Sequence, residues 1–269
     1  MASIKNLCYN KVKTKWKDVF IMRITFFGTS SGSPAPNMRC SCTLVEVGDK
    51  KYIIDAGTLI IEQLATRNIK ITDISALFIT HMHRDHTDGL PSFYLRMTHK
   101  RFDEFPVPEI LLPQQPMEPI IDILNAWRSC NGAVRPVRED VKFTQVMPGV
   151  VYDDGILKVT ALPTKHSAIL NSYSYLLEAE GKRVFFSGDF SSKPIGEFHY
   201  EILEEPLDLA VCELGHFTAD TYGIIFKDHP PKQLIINHIS QRKFASAYEF
   251  LEVCEFPTLL AHDGMVVDV

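Results

Sequence analysis

The run Leu77-Phe-Ile-Thr-His-Met-His-Arg-Asp-His-Thr-Asp-Gly-Leu90 decides how the rest of the chain is read. A short apolar segment, Ala76 to Ile79, has the character of a buried strand, and it delivers His81, His83, Asp85 and His86 to one loop. A packed core has no use for such a set. In extended backbone alternate side chains share a face, so His81 and His83 converge on one ion. Asp85 and His86 follow where the chain turns toward a helix, within reach of a second ion. Imidazole with carboxylate suits zinc, with manganese or iron as alternatives. The bland alternative is a solvated loop rich in histidine; an undiluted set of ligand-type residues directly after a buried strand speaks against it.

Outward from this motif, composition sets bounds. A chain of 269 residues that is 45% hydrophobic and 23% charged is an ordinary globular protein with enough length for a full core. A formal charge of −5 disfavours a sequence-blind nucleic-acid binder, which needs excess Lys and Arg to release counterions. Six cysteines show no Cys-x-x-Cys spacing, which disfavours a zinc ribbon, and Cys130, Cys212 and Cys254 read as small buried hydrophobes. No secretory signal and no run of membrane-spanning length is apparent, which places the chain in a reducing cytoplasm with no membrane contact. Residues 1–21 read as an N-terminal extension and 22–269 as the catalytic domain.

Strands are expected at Arg23–Phe27, Cys42–Val47, Lys51–Ile54, Glu109–Leu112, Ile156–Leu162, Tyr173–Glu178, Lys182–Phe186, Leu207–Cys212 and Gln233–Asn237. Helices are expected at Leu59–Arg67, Phe93–Lys100, Met117–Ser129, Ala219–Lys227 and Phe244–Val253, the third presenting Ile120, Ile121, Leu124 and Trp127 on one side. Gly28 to Pro34 is a small-residue loop that reads either as an anion cradle or as a tight turn needing glycine. Asp55 ends a buried strand and must bond, most naturally to the histidine loop as a support rather than a ligand. Basic residues Arg96, His99, Lys100 and Arg101 close a helix, where cations are favoured in any case. His166 follows a strand end, Asp189 sits in Ser187-Gly-Asp189, and His238 ends another strand.

The His-x-His-x-Asp-His motif after an apolar strand resembles the signature of the metallo-β-lactamase superfamily. More narrowly, Phe27-Gly-Thr-Ser-Ser-Gly-Ser-Pro34, Ile54-Asp-Ala-Gly57, Thr80-His-Met-His-Arg-Asp-His86, Gly215-His-Phe-Thr218, His238-Ile-Ser-Gln-Arg242 and Ala261-His-Asp-Gly-Met265 are similar to ribonuclease Z, the tRNA 3′-processing endonuclease. The resemblance implies an α/β chain folded as a four-layer αββα sandwich, with two divalent metal ions at one edge. His81, His83 and His166 would hold one ion, and Asp85, His86 and His238 the other. Asp189 would lie between them, each oxygen able to bind a different cation. His216 would protonate the leaving oxygen, with Glu213 orienting it, although the family usually places a longer loop between these two residues. Ser31, Ser33, Ser240 and Arg242 are candidate phosphate contacts, while loop polarity or capping explains the serines equally well.

The implied reaction is hydrolysis of a phosphodiester by a hydroxide held between the two metals, with Asp85 orienting it. Bacterial ribonuclease Z carries a tRNA-gripping arm between its third histidine and its aspartate. Between His166 and Asp189 this chain has room for little more than a hairpin. The expected partner is therefore a phosphodiester-containing small molecule or nucleotide, with nucleic acid disfavoured but left open, as is a homodimer. Lactone or thioester hydrolysis at the same metals is the enzyme alternative, and a non-catalytic metal-stabilised binding module the alternative of another class. Because the oxygen-reducing diiron relatives place glutamate where His83 stands, a redox role is disfavoured.

Overall fold

Strands buried on both faces read as nearly continuous apolar runs, because odd and even positions serve different cores. The computed structural model of the chain describes residues 22–98, 105–113, 117–132 and 141–269 and shows this arrangement twice. The first half runs β1 (Met22–Gly28), β2 (Cys42–Val47), β3 (Lys50–Ile54), α1 (Ile60–Ala65), β4 (Ile74–Phe78), α2 (Arg84–Thr87), α3 (Leu90–Met97), β5 (Glu109–Leu112), α4 (Glu118–Cys130) and β6 (Phe143–Gln145). The second runs β7 (Gly149–Asp153), β8 (Lys158–Pro163), β9 (Tyr173–Ala179), β10 (Lys182–Phe186), β11 (Leu209–Leu214), α5 (Asp220–Ile225), β12 (Leu234–Ile239), α6 (Phe244–Val253), β13 (Thr258–Leu260) and β14 (Val266–Asp268).

Two mixed sheets result, in the orders β14-β1-β2-β3-β4-β5-β6 and β13-β12-β11-β10-β9-β8-β7. The last strand crosses back to pair antiparallel with the first, Arg23 opposite Asp268. Ile24, Tyr52, Phe78, Tyr175, Val184 and Val211 fill the space between the sheets. Leu77, Ile79 and Ile110 point the other way, against Leu64, Phe93 and Leu124 of the helices outside the first sheet. Phe185, Cys212 and Ile236 do the same against Tyr222, Ala247 and Phe250 outside the second. This is the expected four-layer α/β sandwich. Strands β3, β4 and β5 are parallel, as are β10, β11 and β12, so their C-terminal ends collect along one edge.

Where the structure differs from the sequence reading, the reason is exposure. Strands β6 and β7 escape pattern reading because neither contains a fully buried residue, so no apolar alternation marks them. On α4 the buried positions are Leu124 and Arg128, while Trp127 is 53% exposed, so the core-facing stripe is rotated relative to the one expected. Cys130, at the end of that helix, is exposed rather than buried; Cys212 is buried and Cys254 intermediate. All three are free thiols, as are Cys40 and Cys42. No helix among the described residues is long and apolar enough to cross a membrane. The proposed extension, residues 1–21, and the basic residues His99, Lys100 and Arg101 lie outside the described residues.

Phe78 is the inter-sheet keystone of β4, edge-to-face with Tyr152 and Tyr175 at centroid distances of 5.3 and 5.9 Å. Phe78→Ala is expected to destabilise the fold by about 3–5 kcal/mol, read from the urea midpoint.

Candidate metal centre

Each side chain expected at the site except those of the loop margins arrives from a strand end on the shared edge. After β4 the chain bends at Thr80 and is extended at His83, with His81 Nε2 3.0 Å from His83 Nδ1; it then turns into α2, carrying Asp85 and His86. His166 lies beyond β8, and its Nε2 is also 3.0 Å from His83 Nδ1. His238 Nε2 lies 3.2 Å from both His86 Nε2 and Asp85 Oδ2. Asp189, beyond β10, stands between the two groups. Its Oδ2 is 3.7 Å from His81 Nε2, 3.9 Å from His166 Nε2 and 3.5 Å from His86 Nε2. Oδ2 thus faces nitrogens of both groups, and Oδ1 turns toward His238 Nδ1 at 3.6 Å.

The ring tautomers are set from behind, the usual support of ligating histidines. An ionised carboxylate only accepts, so His86 Nδ1–H donates to Asp55 Oδ2 (2.8 Å) and leaves Nε2 bare. His166 Nδ1–H donates to Phe190 O (3.1 Å). Thr80 gives its hydroxyl proton to Asp55, so its oxygen accepts from His81 Nδ1–H at 3.2 Å. Three bare Nε2 lone pairs therefore face inward. A single His83 Nδ1, with one proton or one lone pair, cannot make good hydrogen bonds to two such nitrogens at once. Neighbouring nitrogens on a tetrahedral zinc, with Zn–N of about 2.0–2.1 Å, stand at about this separation. The buried Asp189 Oδ1 has no hydrogen-bond partner. The residues present thus fit a site for divalent cations: ligand atoms converge in the groups His81–His83–His166, Asp85–His86–His238 and His81–His86–Asp189, and also in His166–Asp189–His216 and Glu213–His216–His238.

The electrostatics agree. Burial works against charge on His81 and pushes its pKa well below the usual imidazole value. Burial opposes charge on His86 too, but the Asp189 and Asp55 carboxylates outweigh it and hold that pKa well above the usual value. A proton on His86 then occupies the place of a cation, and binding a metal releases it. Burial opposes ionisation of Asp85, yet the His238 hydrogen bond and the His86 charge hold its carboxyl well below the usual range.

Beside the cluster, Glu213 and His216 form a second unit. Glu213 Oε1 accepts from His216 Nδ1–H at 2.8 Å and from Phe190 N–H at 3.0 Å; Oε2 accepts from Gly215 N–H at 2.6 Å. The short interval between the two residues therefore closes as a local turn, with no longer loop needed. His216 Nδ1 lies 3.9 Å from Asp189 Oδ2, and its side chain is 34% exposed. Burial pulls its pKa down, but the hydrogen bond and charge of Glu213 together with Asp189 push it up to about 9.

Two backbone features escape sequence reading. The register of β11 and β12 slips after Glu213–Asn237, leaving His238 as the extra residue of a bulge, with φ of 47°. A bulge re-aims its side chain, here out of the sheet and into the cluster. Asp55 also has positive φ, 61°, which turns its carboxylate toward Thr80 and His86. Asp263, in the motif Ala261-His-Asp-Gly-Met265, is a further residue that sequence reading does not single out. His262 is exposed, whereas Asp263 accepts from Thr29 N–H, Thr29 Oγ1–H and Arg39 N–H at 3.0, 2.8 and 2.8 Å. It thereby pins the loop after β1 over the site. Within that loop Ser31 is buried, its N–H directed at Ile239 O (3.4 Å), and Ser33 is exposed. Ser240 is partly buried after β12, and Arg242 is exposed.

A face-to-face pair of mixed sheets with a His/Asp cluster at their common edge defines the metallo-β-lactamase fold. It is shared with the metallo-beta-lactamase fold protein YhfI from Bacillus subtilis (TM-score 0.74, 19% identity, covering 93% of this chain and 100% of that one). A new diphosphatase from the PhnP family shares it too (TM-score 0.67, 21% identity, covering 92% and 98%). Among curated sequences, ribonuclease Z of Mycolicibacterium paratuberculosis is 27% identical over 176 residues; the match spans 63% of this chain and 63% of that protein's length. The chain belongs to the family described as anti-Pycsar protein Apyc1, whose model matches residues 22–214.

Gly57 packs against the backbone that carries Asp85: a Cβ there would lie 1.8 Å from Asp85 O and 2.8 Å from Ser41 O. Gly57→Ala is expected to cost at least about 1–3 kcal/mol of stability in urea unfolding, the range for overpacking a filled site.

Proposed function

We propose that the chain is a metal-dependent hydrolase of phosphodiesters that works with two divalent cations, zinc first and manganese or iron as alternatives. His81, His83 and His166 would hold one cation, Asp85, His86 and His238 the other, and Asp189 both. Cations bound there supply Lewis acidity toward phosphoryl oxygens and bring the pKa of water down to about 7. The observation that carries the reading is the Glu213–His216 pair beside the cluster. An imidazole whose proton is favoured by Glu213, next to a cation site, is what a departing alkoxide needs, since it must receive a proton. An acyl hydrolase has less need of such a donor.

The chain's residues divide the work. Asp85 stays ionised and orients the attacking water. His216 gives its Nε2 proton to the leaving oxygen, while Glu213 holds Nδ1–H and stabilises the charged ring. Ser31, Ser33, Ser240 and Arg242 are the proposed contacts to the substrate phosphate. Between His166 and Asp189 the chain forms only the β9–β10 hairpin, both strands of which lie inside the second sheet, between β8 and β11. With no protruding element there and a net charge of −5, a small phosphodiester or nucleotide suits the site better than a structured RNA.

Protein purified without chelator is expected to carry two equivalents of divalent metal and to turn over bis-p-nitrophenyl phosphate. Turnover of a simple lactone alone, or metal with no turnover of phosphodiesters or esters, would overturn the proposal in favour of an acyl hydrolase or a binding module respectively. His216→Ala is expected to keep the metal and lose roughly a hundredfold or more in rate, the scale of a general acid.

The pH profile gives an independent check. The donor is the protonated ring, so the rate falls as pH rises through the His216 pKa; nearby cations lower that value, placing the basic limb at or below about pH 9. Glu213→Gln removes the negative charge that favours the proton and is expected to move this limb to lower pH. An unmoved limb would separate Glu213 from His216.

A further inference from the structure

The His166 and Asp189 side chains come from different loops, after β8 and after β10, and strand pairing does not join those loops. Side-chain hydrogen bonds do. Thr164 Oγ1–H donates to Asp189 O at 2.8 Å, and His166 Nδ1–H to Phe190 O at 3.1 Å. A third link comes from a carboxylate that touches neither ligand. Glu197 is buried, and its two oxygens are divided between the loops: Oε1 accepts from Ser191 N–H at 2.6 Å and Oε2 from Lys165 N–H. Lys165 directly precedes His166, and Ser191 lies two residues after Asp189. Glu197 is itself held by a 3-10 turn, its N–H donating to Pro194 O at 3.0 Å.

We propose that Glu197 is a positioning residue of the metal centre: by bonding the amides of Lys165 and Ser191 at once, it fixes His166 relative to Asp189 and His83. The inference rests on the metal-dependent reading above and adds a residue to it. A buried charged carboxylate is costly unless its acceptor capacity is used, and here both oxygens are used on the two loops whose spacing sets the third imidazole. The opposite group, Asp85–His86–His238, is braced elsewhere, through Asp55 and the bulge at His238. Lys165 adjoins His166 directly, whereas Asp189, shared by both halves, keeps the Thr164 hydroxyl on its carbonyl; loss of Glu197 should therefore act mainly on the His81–His83–His166 half of the centre.

Glutamine keeps the length of the side chain but offers one acceptor oxygen where two amides require two. Chelator-stripped wild type, Glu197→Gln and Glu197→Ala are titrated with zinc against a chromophoric chelator. Cobalt(II) absorption serves as a second readout, and thermal unfolding of the metal-free proteins is followed alongside. His166→Ala identifies which binding step belongs to the His81–His83–His166 group. In Glu197→Gln that step is expected to weaken by about 10–100-fold, the range for outer supports of metal ligands, with the other step within about threefold of wild type. Glu197→Ala weakens the same step at least as much; if it does not fold, the Gln variant decides. Unchanged affinities, or a lower melting temperature with both steps weakened equally, overturn the proposal and leave Glu197 with a structural role. If the wild type binds no metal, the metal-dependent reading itself fails, a result distinct from either outcome.

Discussion

Charge imbalance in a confined space is the constraint to which this structure answers. Asp55, Asp85, Asp189, Glu197 and Glu213 are all buried around one strand edge. Among the described residues their ion-pair partners are histidines alone, with no lysine or arginine. The imidazoles that face them present lone pairs rather than protons wherever Asp55, Thr80 or Phe190 holds the other ring nitrogen. Buried carboxylates and bare lone pairs in contact repel one another unless positive charge enters. Protons can supply part of it, as the raised His86 pKa indicates; divalent cations supply more charge, in the place where the lone pairs converge.

The fold supplies rigidity at that edge through links that cross between the sheets. Tyr173 N–H donates to Thr80 O at 3.0 Å, and Tyr175 Oη–H to Ile79 O at 2.7 Å, so the strand before His81 is bound to the opposite sheet. Ile239 N–H donates to Thr29 O at 3.0 Å, which joins the residue after His238 to the loop that Asp263 pins. Left-handed backbone at Asp55 and His238 costs of order 1–3 kcal/mol each for residues of this kind. Both residues lie on such links, Asp55 through Thr80 and His86, His238 through its neighbour. The surrounding bonds thus hold conformations that neither residue would choose alone.

What could be read from the sequence follows from how local each feature is. His81, His83, Asp85 and His86 are legible because one strand end and the turn after it place all four, whereas Glu213 and His216 are paired in the sequence only by the family resemblance, the turn that joins them being visible only in the fold. Buried strands such as β2, β5 and β10 are legible because both faces are apolar. The bulge at His238 is invisible, since it is a slip of register between β11 and β12 and no residue type announces it. Glu197 and Asp263 are invisible for a related reason: each joins segments far apart in sequence, and neither lies in an apolar pattern. Trp127 shows the opposite failure, a large apolar side chain that reads as core and is exposed, while Arg128 beside it is buried. Asp189 is singled out in the sequence only through the family resemblance, and which of its oxygens faces which group depends on side-chain rotation, which sequence does not carry.

Exposure across the cluster is uneven, and on the proposed chemistry that sets a direction of approach. His81, His86 and His238 are buried, and Asp85 is covered by the loop after β1, where even a Cβ on Gly32 would lie 3.0 Å from its Oδ2. His83 is exposed, and so is a third of the His216 side chain. On that chemistry a substrate would enter past His83 and His216, leading with its phosphoryl group, and its leaving oxygen would lie on the His216 side. Placing the proton donor at the open rim suits a reaction whose second product is an alcohol, because protonation there produces a neutral group already facing solvent.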